Sequence, residues 1–258
     1  MRDVPYCELD DVRYFYYERF PEKTVKEEKT IFFIHGAGGN GSYWTKQLAG
    51  IGSSFRVIAP DLPGHGKSGG ASCDSIKAYQ EFIKKIASKL SDSRFYLVGH
   101  SMGGAVALDF SLHHPEMLAG VVLMATGAKF SAVNAILEML KNRRYNHELV
   151  ALVYSQNALS QFRELAIREI NSVSPVVWFR DFSACKHFDV TSRLAEIQLP
   201  ALIITGSADL LTPLKQGRLL ECGLPNAKLL KIEGAGHMLM LEEPEIINKH
   251  IIDFVSSK

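Results

Sequence analysis

Three residues of this 258-residue chain have the types and the order needed for nucleophilic attack on a carbonyl: Ser101, Asp209 and His237. A serine hydroxyl is a weak nucleophile until an imidazole takes its proton, and the imidazole needs a carboxylate to fix its tautomer and stabilise its charged form. Ser101 stands in the run Gly99-His100-Ser101-Met102-Gly103, after the β-prone stretch 94–98 and before the alanine-rich stretch 104–108. Glycines two places either side of a serine permit the sharp strand-to-helix turn that lifts its hydroxyl above the edge of a sheet. The first amides of the helix that follows, that of Met102 among them, then point at an oxygen bound beside the serine.

The two partners have matching addresses. Residues 200–206 read as a buried strand, and Asp209 follows in the turn before Thr212-Pro213 opens a helix. Residues 228–232 read as another strand, and Gly234-Ala235-Gly236-His237 comes just after it. Each residue lies just past a strand end, in the chain order serine, acid, histidine. Rival residues have duller expectations. His113 and His114 near the end of the helix after Ser101, and His250 on the C-terminal helix, read as solvated or packed, while His100 and His35 lie near the site without being the base. Among acids, Asp61 precedes Ser101 and is expected to brace the loop 62–66, and Glu233 is a weaker rival to Asp209.

A second glycine-rich turn supplies the other part of a carbonyl site. The apolar run 30–34 leads straight into His35-Gly36-Ala37-Gly38-Gly39. Backbone N–H groups in such a loop turn toward a bound oxygen, and Ala37 in place of a glycine keeps its donor.

Taken together, these segments resemble the α/β-hydrolase fold superfamily, in its serine-nucleophile, carboxylesterase-like branch, and the resemblance spans nearly the whole chain. It rests on the 35–39 loop, the Asp61-Leu62-Pro63-Gly64-His65-Gly66-Lys67-Ser68 loop, the turn around Ser101, and the Asp209 and His237 loops. The resemblance implies Ser101 as nucleophile, Asp209 as acid, His237 as base, and the amides of Ala37 and Met102 as oxyanion donors. It implies no metal and no organic cofactor. Serine at the turn departs from the epoxide-hydrolase and haloalkane-dehalogenase branches, which need an aspartate there.

The elements needed to carry these residues are present. Strand and helix signals alternate as a mostly parallel sheet flanked by helices requires. Residues 6–9 and 12–18, joined near Asp10-Asp11, read as an antiparallel hairpin at the sheet edge. Ile76, Tyr79, Phe82, Ile83, Ile86 and Leu90 keep helical spacing, as do Ile246, Ile247, His250, Ile251 and Phe254 near the end. The alternation breaks between 129 and 190, where helix formers dominate. The expected organisation is a core of 1–128 and 191–258 with a helical cap of 129–190. Apolar residues of that cap, Phe130, Leu137, Val153, Phe162, Trp178, Phe179 and Phe182, exceed what isolated helices need, and they are the candidate walls of a substrate pocket.

Composition sets the remaining bounds. A net charge of +1 gives no electrostatic case for a nucleic-acid partner. The four cysteines are widely separated and read as free thiols. The start Met1-Arg2-Asp3-Val4-Pro5 carries no apolar signal, and no run of 18 apolar residues occurs, so a soluble, cytoplasmic chain is expected. The cap is basic, with Arg143, Arg144, Arg163, Arg168, Arg180, Lys186 and Arg193, which a solvated surface explains. A docking face for an acyl carrier protein or a coenzyme A thioester is the alternative. The expected activity is hydrolysis of a small-molecule carboxylic ester with an apolar acyl or aromatic part. Hydrolysis of a C–C bond in a dicarbonyl compound, hydrolysis of an acyl thioester, and a non-enzymatic ligand receptor are the other readings, since fold alone fixes no chemistry.

Overall fold

A computed structural model describes residues 5–21, 29–141 and 145–257. The chain opens with β1 (Tyr6–Leu9) and β2 (Val12–Arg19), paired antiparallel through Asp10 and Asp11, which adopt φ of 50° and 62°. Positive φ at both central residues is what a two-residue hairpin turn needs to match the twist of its strands. There follow β3 (Thr30–Ile34), α1 (Thr45–Ile51), β4 (Arg56–Pro60), α2 (Ile76–Leu90), β5 (Phe95–His100), α3 (Met102–His113) and β6 (Leu118–Met124). Four helices then come in succession: α4 (Val133–Lys141), α5 (Tyr145–Val153), α6 (Gln156–Ser172) and α7 (Pro175–Lys186). The chain closes with β7 (Ala201–Gly206), α8 (Leu214–Gly223), β8 (Ala227–Ile232), α9 (Leu239–Glu242) and α10 (Pro244–Ser256).

The eight strands form one sheet in the order β1-β2-β4-β3-β5-β6-β7-β8, parallel from β4 through β8. Every residue of β3, β5 and β7 is buried, the signature of strands covered on both faces by helices. On the helical layers, α1 packs with α10 and α2 with α3. The central helix α3 is buried continuously from Met102 to Ser111, so it shows no amphipathic stripe. The helix spacing read for 76–90 matches α2, which starts where the Ser75 side chain accepts the Ala78 amide at 3.3 Å. Because the inner strands are parallel, their C-terminal ends share one edge. The loops carrying His35 to Gly39, Ser101, Asp209 and His237 all leave the sheet there, the usual place for a ligand site in such a sheet. Among the described residues, no helix is long and apolar enough to cross a membrane.

Candidate active site

Ser101 joins β5 to α3 with φ 52° and ψ −116°, a conformation that side-chain-bearing residues avoid. The turn closes only because its flanks are glycine: a Cβ at Gly99 would overlap the Gly103 carbonyl, and one at Gly103 would overlap the Ile34 and His35 carbonyls. The Ser101 amide donates to the Met124 carbonyl at 3.0 Å, and the Thr126 hydroxyl donates to the Ser101 carbonyl at 2.7 Å. Both backbone groups of the strained residue are thus held, and its hydroxyl borders a cavity with His237 and Ala37. Met102 is the first helical residue, so its amide has no acceptor within the helix.

Asp209 is buried at the end of the β7 loop. Its Oδ1 accepts the Leu211 and Thr212 amides at 2.8 and 2.9 Å, and its Oδ2 accepts the Thr212 hydroxyl at 2.7 Å. His237 Nδ1 lies 2.9 Å from Oδ2. A carboxylate there makes Nδ1 the protonated nitrogen and leaves Nε2 as a proton acceptor. Burial alone would raise the Asp209 pKa, but the charge and hydrogen bond of His237, with those of Thr212, bring it down to about 2. It is therefore ionised at neutral pH.

The neighbouring histidines are committed elsewhere. His100 Nε2 donates to the His237 carbonyl at 3.0 Å, so its Nδ1 is unprotonated, and that atom is buried without a partner. Burial, and next to it the nearness of His237, lower the His100 pKa to about 3. His35 Nδ1 donates to the Gly36 carbonyl at 2.8 Å while Nε2 accepts the Leu62 amide at 3.1 Å, a neutral ring that ties two loops together. Asp61 accepts the Gly41 and Lys67 amides, each at 2.7 Å, and so holds its own loop. Glu233 is exposed and bonded to Ser207 and Lys231.

A buried acid that the sequence reading did not single out fixes the 35–39 loop. Asp181, on α7, accepts the Gly38 amide and His65 Nε2, each at 2.8 Å, through Oδ2, and the Tyr79 hydroxyl at 2.5 Å through Oδ1. Burial opposes charge on His65, but the hydrogen bond and charge of Asp181, with the Pro63 carbonyl at Nδ1, raise its pKa overall. Trp178, one turn before Asp181, lies against Gly38, whose φ is +61°; any Cβ there would overlap the indole. The only sequence signal for Asp181 is an acid set among Trp178, Phe179 and Phe182.

The cavity has two lobes that share Ala37, Ser101, Phe182 and Leu211. The first is walled by Val153 and Trp178 along with Tyr43, Leu149, Glu169 and Ile170. The second is walled by Phe130, Val133, Ile136 and Cys185. Leu137 and Phe179 instead face a separate depression between α4 and α7, and Phe179 is 48% exposed. Phe162 stacks on Tyr154, with ring centroids 5.8 Å apart, and does not border either lobe. Their apolar character marked these three as walls, but α4 packs on α7 and α5 on α6, and those contacts use part of the apolar surface. Of the basic residues of this segment, Arg180 pairs with Asp74 and Arg193 with Glu196; Arg143 and Arg144 lie outside the described residues.

An eight-stranded, mostly parallel sheet with this loop arrangement defines an α/β hydrolase. Residues 31–249 match the model of the Alpha/beta hydrolase family, and the chain belongs to that family. It is 28% identical to the "Putative carbamate hydrolase RutD" of Rhizobium rhizogenes, over 90% of this chain and 94% of that one. It is 30% identical to the 2-hydroxy-6-oxononadienedioate/2-hydroxy-6-oxononatrienedioate hydrolase of Paraburkholderia phymatum, over 88% of this chain and 87% of that one. Among solved structures, a thermophilic esterase aligns with TM-score 0.85 at 30% identity, covering 98% of this chain and 97% of that one. The enol-lactonase of Burkholderia xenovorans LB400 shares the fold, with TM-score 0.88 at 19% identity over 98% and 100% of the two chains. Hydrolase chemistry is common to these relatives, while the bond cleaved differs among them.

Proposed function

We propose that the chain is a serine hydrolase of carboxylic esters, with Ser101, His237 and Asp209 as its catalytic residues. The observation that carries this reading is the Asp209–His237 pair at 2.9 Å, whose histidine borders one cavity with a serine held at φ 52°. His237 Nε2 takes the Ser101 proton as Oγ bonds to the ester carbonyl carbon. The Ala37 and Met102 amides hold the resulting oxyanion. Collapse of the tetrahedral intermediate breaks the bond to the alcohol oxygen, which takes the proton from His237. Water, deprotonated by His237, then releases the acid and restores Ser101. In this reading the helices between 129 and 190 form the cap over the substrate. The similarity to a thermophilic esterase over nearly both whole chains supports the ester assignment.

Ser101→Ala is expected to lower kcat on a short p-nitrophenyl ester by on the order of 10⁶, and to abolish labelling by a fluorophosphonate. Near wild-type turnover in that variant rejects the assignment. A wild type that neither labels nor turns over marks a receptor on a hydrolase fold. A panel with a carbamate, a thioester and a vinylogous diketone beside simple esters fixes the scissile bond, because only a C–C hydrolase cleaves the diketone.

A further inference from the structure

Among the described residues, the largely apolar first lobe has one acid in its wall. Glu169, on α6, borders it beside Tyr43, Tyr154 and Ile170, and among the described residues lining the two lobes there is no lysine or arginine. Its neighbours Arg168 and Glu164 on the same helix are exposed, whereas Glu169 is half-buried. An acid withdrawn from water without a counter-charge is costly unless something bonds to it. The Tyr43 hydroxyl does so, and it partly offsets the burial that holds the Glu169 carboxyl above its ordinary value. A carboxylate offers about four acceptor sites, and one tyrosine proton fills one of them. Glu169 lines the same space as Ser101 and His237.

The second lobe is different in kind: it is lined by Phe130, Val133, Ile136 and Phe182, and among the described residues no charged side chain borders it. His237 borders the first lobe and not the second. An ester has two halves, and these two lobes sort them by polarity.

We propose that Glu169, with Tyr43, reads the half of the substrate that enters the first lobe, accepting a hydroxyl, amide N–H or ammonium group there and rejecting a carboxylate. The hydrocarbon half takes the second lobe. The proposal rests on the ester-hydrolase reading for the identity of the bond cleaved, while the selectivity itself is a property of binding. It predicts poor acceptance of dianionic substrates, which would bring a carboxylate to an acid in a cavity where no described residue supplies a compensating cation.

Calorimetric binding of n-hexylammonium and of hexanoate tests it on the full chain, comparing wild type, Glu169→Gln and Glu164→Gln as an exposed control on the same helix. The wild type and the control are expected to bind the ammonium at least about tenfold tighter than the carboxylate, and Glu169→Gln is expected to lose most of that gap. Equal affinities in the wild type, no measurable binding of the ammonium, or a gap that survives in Glu169→Gln overturns the proposal. Turnover of 4-hydroxybutyl and 3-carboxypropyl butyrate reads the ester assignment separately. A binding gap without any ester turnover sinks that assignment and leaves this inference standing; ester turnover without a gap does the reverse.

Discussion

Asp209 stands at about 2 in the folded chain against an ordinary 3.8. A carboxyl lowered by folding adds stability that is complete above its unfolded value and is lost as pH falls through the folded one. For Asp209 the window therefore runs from 3.8 down to about 2. The stabilisation is on the order of 2 kcal/mol. Asp209→Asn should accordingly unfold in less urea than the wild type at pH 6, with the difference narrowing across that window. A difference that stays constant with pH would show that the His237 partnership is not its source. The same variant should lose about 10⁴ in kcat, because an amide does not hold the imidazole tautomer. The meeting of His237 with Asp209 was legible in the sequence, since both follow strand ends in a fixed chain order. Thr212 was read only as a helix start. Its hydroxyl lies 2.7 Å from Asp209 and 3.3 Å from His237 Nδ1, a role that depends on tertiary distances no local pattern encodes.

At the level of elements, α7 and the loop after β3 behave as one unit, joined by Asp181 and by Trp178 against Gly38. Asp181→Ala strips the partner from buried His65 and from the Gly38 amide, and breaking such a pair costs about 3–5 kcal/mol. Thermal unfolding should show that loss. Ester kinetics should show kcat falling more than KM rises, because on the proposed mechanism the affected loop holds the Ala37 amide that receives the oxyanion. The pH dependence has the opposite sign to that of Asp209. His65 is raised on folding, so its contribution is complete below 6.5 and is lost as pH rises through the folded value. Wild type should lose stability on that alkaline side, and Asp181→Ala should not follow it there. The sequence marked β3 and α2 to the residue, because an unbroken apolar run and a clean helical period are local signals. Asp181 was illegible for the converse reason. An acid on a helix reads as surface, and only the packing of α7 onto distant loops makes it interior.

Across the whole molecule, the cavity beside Ser101 is walled in part by helices that sit between β6 and β7 in sequence yet close the edge where the strands end. Phe182 borders both lobes and stacks on Trp178, with centroids 5.8 Å apart. Phe182→Ala should join the lobes and raise kcat/KM for long-chain relative to short-chain esters across a p-nitrophenyl series, at a stability cost of about 3 kcal/mol. An unchanged chain-length profile would count against Phe182 as the divider. The helical character of 129–190 was evident from composition, but its inner surface was not. Phe130, Val153, Trp178 and Phe182 reach the cavity, while Leu137, Phe162 and Phe179 do not, since an apolar stripe looks the same whether it meets a neighbour or a void. One backbone contact gives this arrangement a further meaning: the His237 amide donates to the Val153 carbonyl at 2.9 Å, at the last residue of α5. His237 is thus tied to the end of α5 as well as to the Asp209 loop. A change that displaces the end of α5 is therefore expected to displace His237 with it, and to register in turnover and not in binding alone.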